Sequence, residues 1–116
     1  MRVLLLFLLL VPGLGGCGHG GEVARKEFQL TLRQGALPAD QQVIRVHQGD
    51  EVILRWTTDE PRSIHLHGYD IEKQLAPGAA VAMWFVARAT GRFPIMLHGQ
   101  QEGDEPILGY LEVHPR

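Results

Sequence analysis

The chain has 116 residues, and its eleven basic and thirteen acidic side chains give a formal net charge of −2. A chain of this length makes one small domain, and no basic patch indicates a nucleic-acid partner. Cys17 is the only cysteine, which excludes a disulfide within the chain, so the fold must be stabilised by packing.

The chain begins with an apolar leader. Residues 3–11 form an apolar run behind Arg2, which is the length of a signal-peptide core, whereas about 20 residues are needed to span a bilayer. Residues 14–17 (Leu-Gly-Gly-Cys) resemble the lipobox of bacterial lipoproteins, in which small residues precede a lipid-bearing cysteine. We therefore expect residues 1–16 to be a signal peptide and Cys17 to carry a lipid. The alternative is ordinary cleavage within the glycine-rich stretch, which would leave a free thiol.

The segment behind the cysteine predicts a tether. Gly18, Gly20 and Gly21 are followed by mixed charge, so residues 17–27 are interpreted as the lipidated cysteine and a flexible linker. The protein is then expected at the periplasmic face of the cell envelope, held to a membrane by its lipid and not by a basic helix. Whether that membrane is the inner or the outer one is left open.

Residues 28–116 show the period-two alternation of β-strands. Apolar residues recur at every second position in the segments that start at Phe28, Ile44, Val52, Ile64 and Phe93. Turn signals separate these segments, and residues 107–113 close the chain. Seven or eight short strands of this kind predict an all-β domain, an antiparallel Greek-key sandwich.

Two segments are less regular. Residues 81–86 are apolar at every position, which is typical of a central strand. Residues 71–80 fit either a short helical turn or another strand.

Histidines supply the candidate chemistry. His65 and His67 are two residues apart, so in a strand they project from one face with Cα atoms about 6.5 Å apart. Imidazoles on one face can converge on an ion about 2 Å from each nitrogen, and imidazole suits copper, zinc, nickel or iron. His98 shares a face with Met96, whose thioether is a soft ligand for Cu(I). The candidate metal ligands are thus His65, His67, His98 and Met96.

A structural interpretation stands beside this one. The histidines can simply form a polar outward face, and Met96 can fill space in the core. His47 and His114 are expected to face solvent, and His19 lies in the predicted tether. The only serine, Ser63, has a nearby histidine but no orienting acid, so we predict that the protein is not an enzyme; a copper redox enzyme is the remaining enzymatic alternative.

In order and spacing, residues from about 43 to 114 resemble a cupredoxin. Residues 46–52 are similar to the strand-turn-strand that opens that fold, and residues 64–71 resemble its first copper-ligand segment. Residues 91–95 resemble the strand before the ligand loop, and residues 108–113 the closing strand. The similarity is to bacterial exported cupredoxin-like proteins and, distantly, to the copper domain of cytochrome c oxidase subunit II. It implies a cupredoxin-like sandwich with copper as cofactor and His67 as its first histidine ligand.

The chain departs from that family at the other ligands. The family's cysteine position falls at Leu97 and its methionine position at Ile107, and residues 99–106 contain no histidine. A blue-copper site needs a thiolate with two imidazoles, so this domain is not expected to build one. What remains is a type-2 histidine site for Cu(II) or a looser histidine and methionine site for Cu(I).

Acidic residues of the same loop add a further option. Glu102, Asp104 and Glu105 can supply an oxygen ligand or form a solvated acidic loop.

Two functions therefore stay open. The first is a membrane-tethered copper-binding protein for copper handling or delivery, with a copper-handling or oxidase-assembly protein as its partner. The second is a metal-free interaction or assembly module.

Overall fold

Eight β-strands account for nearly all the regular structure of the described chain. The computed structural model describes residues 22–99 and 103–116, and no helix there is long and apolar enough to cross a bilayer. The prediction of an all-β sandwich of seven or eight strands is confirmed, and the ambiguous segment 71–80 begins with a strand. The elements are β1 (Arg25–Leu32), a 3₁₀ turn (Ala39–Gln41), β2 (Val43–His47), β3 (Glu51–Thr58), β4 (Arg62–Leu66), β5 (Ile71–Leu75), β6 (Val81–Val86), β7 (Gly91–Leu97) and β8 (Ile107–His114).

The strands form two sheets, with orders β1-β3-β6 and β2-β8-β7-β4-β5. The pairs β1-β3 and β2-β8 are parallel, so the antiparallel pairing predicted for the sandwich does not hold for these two pairs. Consecutive strands β1 and β2 lie in different sheets, so each meets its partner through a crossover and not through a hairpin.

Strand β6 is an edge strand, although its apolar sequence predicts a central one. It ends the order β1-β3-β6, and its alternate residues face solvent. Trp84 is 58% exposed, and its indole N–H donates a hydrogen bond of 2.8 Å to the Glu51 carboxylate. Tryptophan combines an apolar ring with a polar N–H and therefore tolerates such a partly exposed position.

The core lies between the inner faces of the two sheets and determines where the histidines point. Ile64 and Leu66 of β4 and Ile95 and Leu97 of β7 are buried in it. Because side chains alternate along a strand, residues 63, 65 and 67 and residues 96 and 98 are turned to the outer face of the five-stranded sheet.

Strand β1 begins at Arg25 and thus includes residues that the sequence pattern assigns to the tether. Just before it, the Ala24 backbone N–H donates a hydrogen bond of 3.1 Å to the buried Asp50 carboxylate. The start of the described chain is therefore held against the turn between β2 and β3.

Candidate metal centre

The candidate centre lies on the outer face of three adjacent strands. His65 of β4 is paired with Met96 of β7 on one side and with Glu72 of β5 on the other. Directly paired residues have Cβ atoms about 4.5–5.5 Å apart. The register therefore places a thioether, an imidazole and a carboxylate in one row across β7, β4 and β5.

His65 is the histidine that has imidazole neighbours on both sides. Its ring centroid lies 5.7 Å from that of His67 and 6.2 Å from that of His98. Rings that share an ion at about 2 Å from each nitrogen have centroids about 5–6 Å apart. His65 is thus spaced to share one ion with either neighbour after small side-chain movements.

His65, His67, His98, Met96 and Glu72 form a cluster on this face of the sheet. His67 and His98 lie at its opposite ends. The His67 N–H donates to the Pro94 carbonyl at 3.0 Å, and the His98 N–H donates to the Ser63 carbonyl at 2.9 Å. The two histidines are therefore offset by four positions along β4, which is about 13 Å. An ion bound to His65 would have one of these imidazoles on either side.

Carboxylates stand beside the imidazoles. One oxygen of Glu72 lies 3.4 Å from His98 Nε2, and Glu105 lies 3.3 Å from His98 Nδ1. The Ser63 hydroxyl donates a hydrogen bond of 3.0 Å to Glu72. Asp70 lies 3.5 Å from His65 Nε2. The neighbourhood of His65 thus offers oxygen donors as well as nitrogen donors.

Sequence reasoning missed Glu72, although a signal for it was present. Residues 67–70 make the turn between β4 and β5, and a tight hairpin of that length pairs residue 65 with residue 72. The sequence pattern instead predicts oxygen ligands in the loop after β7. Of these, Glu105 does approach His98, whereas Glu102 lies outside the described residues.

The donor groups are near each other, but their donor atoms do not converge on a single point. Within residues 22–99 and 103–116, no three His, Cys, Asp or Glu side chains converge into a group that could hold a metal ion as they stand. The side chain of His65 is 21% exposed and that of His98 38% exposed. What the fold provides is a set of adjacent donors, open to solvent and centred on His65.

The structure does not fit a blue-copper centre. Leu97, which the resemblance matches to the cysteine position of cupredoxins, is buried in the core, whereas His67 is exposed on the opposite face of the same sheet. Ile107, which the resemblance matches to the methionine position, is exposed and paired with Met96. The sole cysteine, Cys17, lies outside the described residues, as does His19.

The turn between β4 and β5, which carries His67, is held by aromatic packing. The Tyr69 ring centroid lies 5.0 Å from those of both Phe85 and Phe93, and its hydroxyl donates a hydrogen bond of 2.8 Å to the Ala89 carbonyl. Burial raises the pKa of the Tyr69 phenol, and the hydrogen bond with Ala89 opposes this only in part. Tyr69 therefore stays protonated near neutral pH and holds the turn in place.

His47 and His114 lie apart from this cluster. His47 and His114 are exposed, as predicted, and their ring centroids are 6.2 Å apart. They pair across β2 and β8, on the far side of the sheet from β4 and β5. The Ser63 hydroxyl is engaged with Glu72 and accepts a bond of 3.0 Å from Gln74.

Solved copper proteins share this architecture. An NMR structure of a copper-binding protein in its apo form is 13% identical and aligns over 76% of this chain and 86% of its own, with a TM-score of 0.61. The periplasmic domain of subunit II of cytochrome oxidase (CoxB) of Bradyrhizobium japonicum is 16% identical over 77% of this chain and 83% of that domain, with a TM-score of 0.61. A heme-copper terminal oxidase aligns with 18% identity over 77% of this chain, with a TM-score of 0.62. The chain has a cupredoxin-like fold.

The likeness is one of fold. The cupredoxin-like domain spans 65% of the aligned heme-copper oxidase chain and between 31% and 42% of three multicopper oxidases and a blue copper oxidase. No protein-family model and no curated protein sequence matches the chain.

Proposed function

We propose that this protein is an exported, membrane-tethered cupredoxin-like protein of the cell envelope that binds copper through histidines and serves in copper handling or delivery. One observation carries the proposal: His65 lies beside His67, His98 and Met96 on the outer face of a fold that known copper proteins share. The donor types fit copper, because imidazole binds both oxidation states and thioether favours Cu(I).

The position of the donors favours a carrier over an electron-transfer centre. His65 and His98 are partly exposed, so an ion held there is accessible to a second protein. Leu97, which the resemblance matches to the cysteine position of a blue-copper site, supplies no thiolate. Copper is therefore cargo that the protein passes on, and not a resident electron carrier.

The location and the partner belong to the same proposal. A lipid on Cys17 would anchor the protein, and residues 18–24 would link that lipid to β1. A copper-handling or oxidase-assembly protein is proposed as the partner. The shared fold with the CoxB domain and the heme-copper oxidase supports this choice.

The copper proposal is tested by titrating the purified full chain with Cu(II) and, under reducing anaerobic conditions, with Cu(I). Every sample carries Cys17→Ser, so that the thiol does not compete for the ion. We expect one equivalent to bind, with at least about tenfold weaker binding after His65→Ala. Because a ligating imidazole must be unprotonated, binding should also weaken as the pH falls from 7 to 5.

The matched control is the double variant His47→Ala with His114→Ala, which removes two exposed histidines from the same sheet without touching the cluster. It should bind copper as the parent does. The proposal fails if the parent binds no copper, or if the control variant loses binding while His65→Ala retains it.

A metal-free interaction or assembly module is the second candidate. It is favoured by the lack of a converged donor group within residues 22–99 and 103–116. Thermal unfolding separates the two functions. An ion at 100 times its dissociation constant should stabilise the fold by about 2.7 kcal/mol, whereas a metal-free module should unfold at the same temperature with and without copper.

A further inference from the structure

Two exposed apolar side chains lie at the end of the sandwich that holds the turn between β2 and β3. Val23 is 65% exposed and Trp84 is 58% exposed. Val23 lies over the turn, because a Cβ added at Gly49 would stand 3.4 Å from Val23 Cγ2. The hydrogen bond from Trp84 to Glu51, the first residue of β3, places the indole at the same end. We call this part of the domain the β2–β3 end.

Free basic side chains accompany these apolar ones. Arg88 is joined to the turn, since the Gln48 side-chain amide donates a hydrogen bond of 3.1 Å to its carbonyl. Lys26 of β1 pairs with Val52, the second residue of β3. Lys26 and Arg88 are exposed, and neither forms an ion pair within residues 22–99 and 103–116. The β2–β3 end therefore presents two cations to solvent.

The carboxylates of the turn do not neutralise these cations. Asp50 is buried and contacts the Arg116 guanidinium, and Glu51 lies 3.8 Å from Arg25 Nε. Glu22 is the acidic residue at this end that has no such partner in the described part of the chain. The two free bases thus leave an excess of positive charge.

The opposite end of the sandwich carries exposed acidic residues. They follow β3 and precede β8, and they are Asp59, Glu60, Asp104 and Glu105. An anionic surface would therefore attract the β2–β3 end and repel the opposite one.

The length of the chain before β1 limits how far the β2–β3 end can be from the expected lipid. Five chain steps separate Cys17 from Glu22, and they span at most about 18 Å when fully extended. A lipid on Cys17 would hold the β2–β3 end within that distance of the membrane surface. Tryptophan is typical of the membrane–water interface, and basic side chains are attracted to anionic headgroups.

We propose that the β2–β3 end rests on the anionic lipid surface to which Cys17 is anchored. Trp84 and Val23 lie at the level of the headgroups, and Lys26 and Arg88 contact the headgroup phosphates. The inference rests on the lipid anchor of the proposed function and adds a docked orientation to it. In that orientation the end of β7 that precedes His98 lies away from the membrane.

The experiment measures how strongly acrylamide quenches the fluorescence of Trp84 in the lipidated chain. The other tryptophan, Trp56, is fully buried, so the quenching reports on Trp84. The chain is isolated from a bacterial envelope, its lipid is confirmed by mass, and it is inserted into preformed vesicles. One set contains phosphatidylethanolamine and phosphatidylglycerol, and the other contains phosphatidylcholine alone. We expect quenching at least about twofold weaker on the anionic vesicles, because a ring among the headgroups is shielded from the aqueous quencher.

Lys26→Gln combined with Arg88→Gln should restore quenching on the anionic vesicles to the level seen on phosphatidylcholine. The matched control is Arg33→Gln combined with Lys73→Gln, which removes the same charge from the opposite end of the sandwich. Arg33 follows the last residue of β1, and Lys73 is level with the last residue of β7. The control variant should keep the protection of Trp84.

Equal quenching on the two kinds of vesicle, or loss of the protection in the control variant, would overturn the inference while leaving the lipid anchor intact. Protection in neutral detergent micelles that grows with protein concentration would assign the surface to a second copy of the chain and would also overturn it. A chain without a lipid on Cys17 would instead contradict the anchor itself, and the docked orientation with it.

Discussion

At the scale of single residues, Asp50 is the charged side chain that the described part of the chain buries completely. Its carboxylate accepts hydrogen bonds from the backbone N–H groups of His47 at 2.9 Å and Ala24 at 3.1 Å and contacts the Arg116 guanidinium. Burial raises the pKa of Asp50, but these hydrogen bonds and the arginine outweigh it and hold the pKa below the ordinary aspartate value. The ionised form therefore stabilises the fold.

The ionised Asp50 carboxylate is therefore expected to make the stability of the fold sensitive to acid. Because the pKa is lower in the folded chain, the contribution of Asp50 is complete above the unfolded value of about 3.9 and is lost as the pH falls through the folded value. Asp50→Asn should cost about 1–3 kcal/mol at pH 7, and the difference from the parent should shrink toward pH 3. Urea unfolding at several pH values measures this.

Asp40→Asn serves as the control, since Asp40 is exposed in the 3₁₀ turn and should leave stability unchanged. A constant difference between Asp50→Asn and the parent across the whole pH range would contradict the explanation.

The residues of the candidate site were predictable only in part. The candidate ligands His65, His67 and Met96 could be identified from the sequence. Their imidazole and thioether groups and their spacing along a strand were enough. That His65 lies between His67 and His98 depends on the pairing of β4 with β7, which spacing within one segment does not determine.

At the scale of elements, the β4–β5 hairpin sets the geometry of the cluster. Gly68 in its turn has φ +90°, and a Cβ there would lie 2.9 Å from Phe93 Cε1 and closer still to Cδ1. Phe93 cannot easily move, because it packs against Tyr69. The turn that carries His67 toward His65 therefore requires glycine.

Gly68→Ala should consequently lose much more stability than Gly78→Ala. Gly78 has a similar φ of +82°, but nothing lies within 4 Å of a Cβ built there, so it should lose only the backbone strain of about 1–2 kcal/mol. Gly68→Ala adds the displacement of Phe93 to this strain. Chemical unfolding of both variants measures the difference, and equal losses would show that the contact with Phe93 is unimportant.

The positions of the strands in the sequence were easier to predict than which strands pair with each other. Alternation identifies the segments at Ile44 and Ile64, because each buries one face. It does not show that β2 and β8 run parallel, since that pairing joins residues more than 60 positions apart. Nor does it show that β6 is an edge strand, because Trp84 counts as apolar in the sequence while its N–H is used at the surface.

At the scale of the whole molecule, the start of β1 and the candidate centre lie at opposite ends of the domain. Ala24 is bound beside the turn that follows β2, and β2 ends at the level where β7 begins. His98 follows the other end of β7, about 20 Å away along the strand. A lipid anchor on Cys17 would therefore leave the side of the cluster around His98 and Glu72 free to meet a partner.

The anchor itself is tested by mass spectrometry of the N-terminal peptide after expression in a bacterial envelope. We expect the mature chain to begin at Cys17 and to carry the mass of a diacylglyceryl group, and Cys17→Ser to carry no lipid. Gly18→Ser changes the adjacent residue and should remain lipidated. A mature chain with a free Cys17 thiol would contradict the proposed lipid anchor.

Electron paramagnetic resonance tests most directly whether copper binds through His65. The full chain with Cys17→Ser is loaded with one equivalent of Cu(II) and compared with the same chain after His65→Ala. We predict a type-2 spectrum with hyperfine structure from two imidazole nitrogens, without the intense visible absorption of thiolate-bound copper, and we predict that His65→Ala removes it. A spectrum that His65→Ala leaves unchanged, or a spectrum of aqueous Cu(II) in the parent, would contradict copper binding through His65.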